Sequence, residues 1–317
     1  MKIAVLDDYQ GYSTRFADWG ELADDVTVFR EPIPPEDLIE ELQPFDVICA
    51  MRERTPLPAG LIEALPNLHL IVTTGMRNAS IDVAAARARG VTVCGTASRA
   101  PATAHLAFTL ILVAARNLVS EMRSLQSGGW QAEAGRDLDG LTLGLIGLGR
   151  LGAAVAELAR PFGMNVVAWS QNLTAERCAE VGVTQAGSLS ELLDVADVAS
   201  VHLVLSDRTR GLIGAAELAR MKPDAVLVNT SRAPIIDETA LLAALRAGRP
   251  ARVALDVFEQ EPLPADAAIR DAGLMEAGKL ILTPHIGYGA LDTYRVMYAQ
   301  TAENVRAWVE GAPIREI

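Results

Sequence analysis

Between Leu141 and Gly152 the chain reads "LTLGLIGLGRLG", and "AAVAELA" follows at once. An apolar, strand-like run thus enters a helix-forming run through three glycines, Gly147, Gly149 and Gly152, spaced G-x-G-x-x-G. Few folds accept that passage. The first glycine permits a tight turn, the second lets backbone amides approach a bulky anion, and the third lets helix and strand pack closely. Such a turn belongs after the first strand of a parallel sheet whose crossovers are helices.

The surrounding pattern agrees. Lys2–Leu6, Val26–Phe29, Asp46–Ala50, Leu68–Thr74 and Val91–Cys94 read as short buried strands, with helices expected over Pro35–Leu42, Pro58–Leu65 and Ile81–Arg89. A second series of six strands follows: Leu141–Gly147, Asn165–Trp169, Val198–Val204, Ala225–Thr230, Ala251–Phe258 and Leu280–His285. Alternation of this kind implies parallel strands covered by helices. The expected fold class is therefore α/β, with two doubly wound parallel-sheet domains, and 317 residues suit two domains of ordinary size. A long helix is expected from Ala102 to about Arg123, and a last one from about Ala290 to Glu310 that returns to the first domain. The boundaries are 1–100 with 287–317 for one domain and 101–286 for the other.

Composition narrows the partners. The net charge of −12 repels phosphate backbones and anionic membranes, which argues against nucleic acid. Cys49, Cys94 and Cys178 are odd in number and form no C-x-x-C pair, as expected of reduced thiols in a cytoplasmic protein. The start, "MKIAVLDDYQ", reads as a strand followed by acids and not as a signal peptide. Ala100–Ala115 is the most apolar stretch, yet it is too short for a membrane span and reads as a buried helix.

In its context the glycine turn reads as a dinucleotide site. Where such sites carry an acid for the ribose hydroxyls, this chain has Ser170, followed by Gln171 and Asn172. It lacks the charge that would repel the 2′-phosphate of NADP. It also lacks an arginine close by in sequence, Arg150 and Arg177 being the nearest. The cofactor is NAD(H) or NADP(H), with a slight lean toward tolerance of NADP. Leu151, Thr103 and Thr230 join Gly147, Gly149, Arg150, Gly152 and Ser170 as expected cofactor contacts.

Chemistry in a doubly wound sheet collects at the carboxyl ends of its strands. Three polar residues stand there: Arg232 in "VNTSRAP", an acid in "LDVFEQEP", and His285 in "TPHIG". Arginine offers a planar fork of donors for a carboxylate and an adjacent carbonyl. Histidine can pass one proton per turnover. A carboxylate on the far ring nitrogen would fix its tautomer and stabilise the imidazolium. Glu259 and Glu261 compete for that role, with Glu261 more rigidly set because it precedes Pro262. Beside a nicotinamide, this set suits hydride transfer to a 2-oxo acid. His202, by contrast, reads as a core residue inside a strand.

"GLIGLGRLG", "VNTSRAPIID", "LDVFEQEPLP" and "TPHIGY" together resemble the D-isomer-specific 2-hydroxyacid dehydrogenases over essentially the whole chain. The resemblance implies a Rossmann cofactor domain inserted in a flavodoxin-like substrate domain, an active site in the cleft, and a homodimer built largely through the cofactor domain. It implies Arg232 as the substrate arginine, Glu261 as the acidic partner, His285 as the proton carrier and Asp256 as a residue near the nicotinamide. It places Arg150 beside the pyrophosphate, and the amides around Gly75, Met76, Arg77 and Asn78 on the substrate carboxylate. Arg52, Arg54 and Arg77 are candidates for a second anionic group on the substrate, and Tyr288 for an aromatic pocket wall. The implied activity is 2-oxo acid reduction on glyoxylate-like or hydroxypyruvate-like substrates. D-3-phosphoglycerate dehydrogenation is the enzymatic alternative, and an NADH-sensing corepressor the remote, non-enzymatic one. His105 departs from the family, standing where an acid is common. No metal site is assigned.

Overall fold

Every strand of the first series forms, the first four trimmed by a residue or two at their ends and the fifth shifted by one. The computed structural model describes residues 1–98 and 101–317. Strands β1 (Ile3–Val5), β2 (Val26–Val28), β3 (Val47–Ala50), β4 (Leu70–Thr73) and β5 (Thr92–Gly95) make an all-parallel sheet in the order β2-β1-β3-β4-β5. That is the order of flavodoxin-like sheets. Strand alternation sends Ala4, Leu6, Ile48, Ala50 and Ile71 into one core with Leu42, Leu57, Leu61, Ile62 and Leu65. The helices that cover this face are shorter than expected, Leu38–Leu42, Ala59–Ala64 and Val83–Ala88. The last helix, Leu291–Val309, belongs to the same unit, and Asn304 Nδ2 donates to the Gly95 carbonyl at 2.8 Å.

The second sheet holds β6 (Thr142–Ile146), β7 (Asn165–Trp169), β8 (Thr184–Gln185), β9 (Val198–Val201), β10 (Val226–Asn229), β11 (Arg252–Leu255) and β12 (Leu280–Leu282). All are parallel, in the order β12-β11-β10-β9-β6-β7-β8. Seven strands replace the six expected. The additional one, β8, is two exposed polar residues long, too short and too polar to carry a hydrophobic signature. The order reverses at β6, so the glycine turn lies at the switch point where such sheets bind ligands. Both faces are covered. Val226, Val228, Ala254 and Ile281 enter one core, while Leu227, Val253, Leu255 and Leu280 enter the other.

The long helix expected after residue 101 is two helices, Pro101–Ala115 and Leu118–Gln126, bent 61° apart. Asn117 makes the break: its φ is 54°, in the left-handed region that asparagine tolerates better than most residues. Its side-chain amide reaches the Glu133 and Ala134 carbonyls. Pro101–Ala115 is buried along Ala104, Ala107, Phe108, Ile111 and Ala114. No single helix among the described residues is long and apolar enough to cross a membrane.

By its contacts the chain divides into two units, Met1–Arg99 with Gly289–Ile317, and Ala100–Tyr288. The boundary expected near Ala100 lies outside the described residues.

Candidate active site

The glycine turn is built as its spacing demands. Gly147 has φ 109°, and a Cβ there would lie 2.7 Å from the His202 carbonyl oxygen. A Cβ on Gly152 would strike the Gly147 carbonyl oxygen. Gly149 faces open space and heads the helix Arg150–Ala159, with no side chain capping its amides. Uncapped amides at the start of a helix of this length suit an anion such as a pyrophosphate. Arg150 and Gly149 are exposed and Leu151 is half-buried. Ser170 follows β7, half-buried. Thr230, just past β10, is buried and its hydroxyl has no partner. An orphaned donor at a strand end, an open glycine and an uncapped helix together fit a dinucleotide.

His202 lies one residue beyond β9 rather than within it, its amide still donating to the Ile146 carbonyl of β6 at 2.8 Å. Its Nε2 is 2.9 Å from the Ser200 hydroxyl, and burial pushes its pKa down to about 4. The unfolded chain binds a proton at this histidine near pH 6.5 and the folded chain does not. Stability from this site is therefore full above about pH 6.5 and falls as the pH drops toward 4, by on the order of 3 kcal/mol. His202→Gln is expected to shrink the loss of Tm between pH 7 and pH 4.5. Parallel Tm curves for variant and wild type would show that His202 does not titrate in that window.

Three neighbouring strand ends carry the acid–base set. After β10 the chain turns through Thr230 and Ser231 to Arg232. Asn229, buried, clamps this turn: its amide donates to the Arg232 carbonyl at 3.0 Å, and its oxygen accepts from the Ser231 amide at 2.9 Å. The Ser231 hydroxyl donates to the Val201 carbonyl at 2.8 Å. One Arg232 guanidinium nitrogen donates to the Ser231 carbonyl at 2.7 Å.

After β11 the chain delivers Asp256 and then Glu261. One Glu261 oxygen accepts from the Phe258 amide at 2.9 Å, and the other meets His285 Nδ1 in a short contact. Glu261, not Glu259, is therefore the partner of His285. Glu259 lines a small cavity with Glu238, whose carboxyl is pushed up by burial and by Glu259.

After β12 comes His285, with φ 49°. Left-handed backbone at a bulky residue is strained and needs holding. Asp256 supplies the hold. It accepts from the Thr283 hydroxyl at 2.6 Å, the Ile286 amide at 2.9 Å and the Gly287 amide at 2.7 Å. Burial raises its pKa, against the pull of those donors and of His285. Asp256, expected beside the nicotinamide, thus has both oxygens turned into the loop that carries His285. With Nδ1 on Glu261, Nε2 is the ring nitrogen turned away from that carboxylate. The Tyr288 ring stands edge-on to His285, centroids 5.8 Å apart. Thr103 packs on the same loop, 3.2 Å from where a Gly287 Cβ would be. His105, two residues on, is exposed and lines a cavity with Arg150 and Glu157.

The substrate-loop candidates lie in the other unit. Gly75 has φ 95°, but its amide donates to the Thr96 hydroxyl at 2.9 Å, so it turns inward and not toward a ligand. The amides of Met76, Arg77 and Asn78 have no such partner among the described residues. The Asn78 amide group donates to the Arg52 carbonyl and to the Thr73 hydroxyl. Arg52, with φ 52°, donates to the Thr74 carbonyl at 3.0 Å and lies over Gly75. Arg54 stacks on the Tyr9 ring at 4.5 Å, and Arg77 is exposed. Asn229 escaped the sequence reading, because an asparagine at a strand end is indistinguishable from any turn residue until its bonds are seen.

Comparison with known proteins gives this geometry a family. Residues 108–287 match the model described as D-isomer specific 2-hydroxyacid dehydrogenase, NAD binding domain. The chain is 34% identical to a glyoxylate reductase of Korarchaeum cryptofilum, over 90% of this chain and 87% of that protein. It is also 34% identical to a D-3-phosphoglycerate dehydrogenase of Archaeoglobus fulgidus, over 88% of this chain but only 52% of that longer protein. Among solved structures, a phosphoglycerate oxidoreductase from Vibrio cholerae O395 superposes with a TM-score of 0.89 at 37% identity, covering 98% of this chain and 100% of the other. The chain belongs to the D-isomer specific 2-hydroxyacid dehydrogenase family. It is an oxidoreductase of CH–OH groups with a nicotinamide-binding domain.

Proposed function

We propose that this protein reduces a small 2-oxo acid of the glyoxylate or hydroxypyruvate type and accepts NADPH as well as NADH. The Glu261–His285 pair, fixed by Asp256 on the strand next to the one that carries Arg232, carries the reading. Arg232 holds the substrate carboxylate and polarises the carbonyl. His285 Nε2 gives the carbonyl oxygen its proton, and Glu261 offsets the charge on the ring while it is protonated. The glycine turn, Thr103, Thr230 and Ser170 hold the cofactor, which supplies the hydride when bound. The glyoxylate reductase relative, matched over most of its length, supports the substrate class. The absence of an acid at Ser170 supports use of both cofactors.

A panel of 2-oxo acids, assayed with NADH and NADPH in parallel, tests the reading. Glyoxylate and hydroxypyruvate are expected to lead, with NADPH within about tenfold of NADH, or roughly 1.4 kcal/mol. Branched or aromatic 2-oxo acids as the best substrates would instead make Tyr288 an apolar wall. Phosphorylated hydroxypyruvate as the best would favour phosphoglycerate oxidation, a reading that Arg77 supports because no described residue engages its guanidinium.

A homodimer is part of the proposal. On the helix Leu118–Gln126, Leu118, Met122 and Leu125 fall at i, i+4 and i+7 and are all exposed, and Trp130 beyond the helix is 78% exposed. An apolar stripe of this kind asks for a cover, and a second copy provides it. Met122→Glu is expected to halve the mass measured by light scattering, and an unchanged mass would place any interface elsewhere. We place the protein in the cytoplasm, on the strength of three buried, unpaired cysteines.

A further inference from the structure

The reading of the cofactor leaves open which group meets a 2′-phosphate. Trp169 ends β7, and its carbonyl accepts the Gly147 amide at 2.8 Å, so Ser170 leaves the strand beside the first glycine of the turn. The next residue of that turn, Leu148, accepts from Arg177 Nε at 3.3 Å. Arg177 is in the first turn of the helix Ala175–Val181, where its amide donates to the Thr174 hydroxyl. A turn closed by Leu173 N on Ser170 O, at 3.0 Å, folds the chain between them. Ser170 and Arg177 therefore converge on the glycine turn, although they stand apart in the sequence.

The guanidinium is only partly engaged. Nε is anchored on Leu148, Nη1 pairs with Glu180 at 3.0 Å, and Nη2 meets no described residue. Side-chain exposures of 40% for Arg177 and 65% for Glu180 make this a weak pair, readily given up for a stronger anion. A phosphate monoester is such an anion, and the planar fork of arginine matches its oxygens. The other acid of the same turn, Glu176, is occupied with its own amide and the Thr174 hydroxyl. In dinucleotide sites generally, an arginine near the residue after the second strand accommodates the 2′-phosphate.

We propose that Arg177, anchored on Leu148 and assisted by the Ser170 hydroxyl, is the residue that takes the 2′-phosphate of NADPH. The inference rests on the dual-cofactor reading above and assigns it to one side chain. Glu180 competes for the same guanidinium, which keeps the phosphate contact modest and leaves NADH acceptable.

Titration calorimetry of the full chain with NADPH, NADH, 2′,5′-ADP and 5′-ADP tests it without reference to turnover. Wild type is expected to bind 2′,5′-ADP more tightly than 5′-ADP. Arg177→Gln is expected to weaken NADPH and 2′,5′-ADP by about tenfold to a hundredfold and leave NADH unchanged. The proposal is overturned if Arg177→Gln keeps the wild-type ratio of NADPH to NADH affinity, or if wild type does not prefer 2′,5′-ADP. Arg177→Lys, which keeps the charge but loses the fork, decides the question should Arg177→Gln misfold: it is expected to lose part of the preference for 2′,5′-ADP, and an unchanged preference overturns the proposal. NADPH bound through Arg177 with no 2-oxo acid reduced would sink the substrate reading and leave this one standing. Reduction with NADH but indifference to the 2′-phosphate would do the reverse.

Discussion

His285→Gln is expected to lower kcat for 2-oxo acid reduction by about 10²–10⁴, the span usual for loss of a general acid, with NADH affinity unchanged. Glutamine can keep a hydrogen bond to Glu261 but has no proton to give at the position of Nε2. Backbone strain complicates the substitution, since residue 285 has φ 49°. His285→Asn, a residue type at ease in that region, separates lost chemistry from a distorted loop. If both variants turn over at wild-type rates, His285 has no part in proton transfer. Glu261→Gln is expected to be milder. It keeps an oxygen for the Phe258 amide, bonded at 2.9 Å in the native protein, but turns an NH2 group toward Nδ1, so the ring loses both the charge beside it and the acceptor for Nδ1–H.

Arg232→Lys is the second large effect. Lysine keeps the positive charge and loses the two-pronged grip, so kcat/KM should fall by about tenfold to a hundredfold. The backbone is not expected to move, because Asn229 holds the turn through the Arg232 carbonyl and the Ser231 amide. Free guanidinium added to Arg232→Ala should restore part of the rate, and ammonium should not. A lysine variant with most of its kcat/KM intact would reduce Arg232 to a diffuse positive charge.

Much of this was legible in the sequence because backbone geometry writes itself in residue type. The close packing at Gly147 and Gly152 is written in the sequence, since it depends on the lack of a Cβ. Arg232, Glu261 and His285 were legible because strand ends in a parallel sheet share one edge. The choice of Glu261 over Glu259 rested on Pro262 and on the family resemblance. The two lie two residues apart in irregular chain, and the contact with His285 Nδ1 is made by Glu261. The break at Asn117 was hidden, because a single left-handed residue barely disturbs an apolar helical pattern. The engaged amide of Gly75 could not be foreseen either: its partner, the Thr96 hydroxyl, lies on the far side of another strand crossover. Pairings made by one side chain across long sequence separations leave no periodic trace.

Asp256 and Asn229 do for two neighbouring loops what a rigid mount does for an optical element. Each lies buried at a strand end: Asn229 fixes the turn that follows it, and Asp256 reaches across to the loop after the neighbouring strand. Alignment is thereby stored in the sheet rather than in the exposed loops. Substitutions on those surfaces can accumulate while Arg232, Glu261 and His285 stay in register. For anyone redesigning this protein, the two buried mounts are the parts to leave alone, and the exposed loops are where new selectivity can be sought.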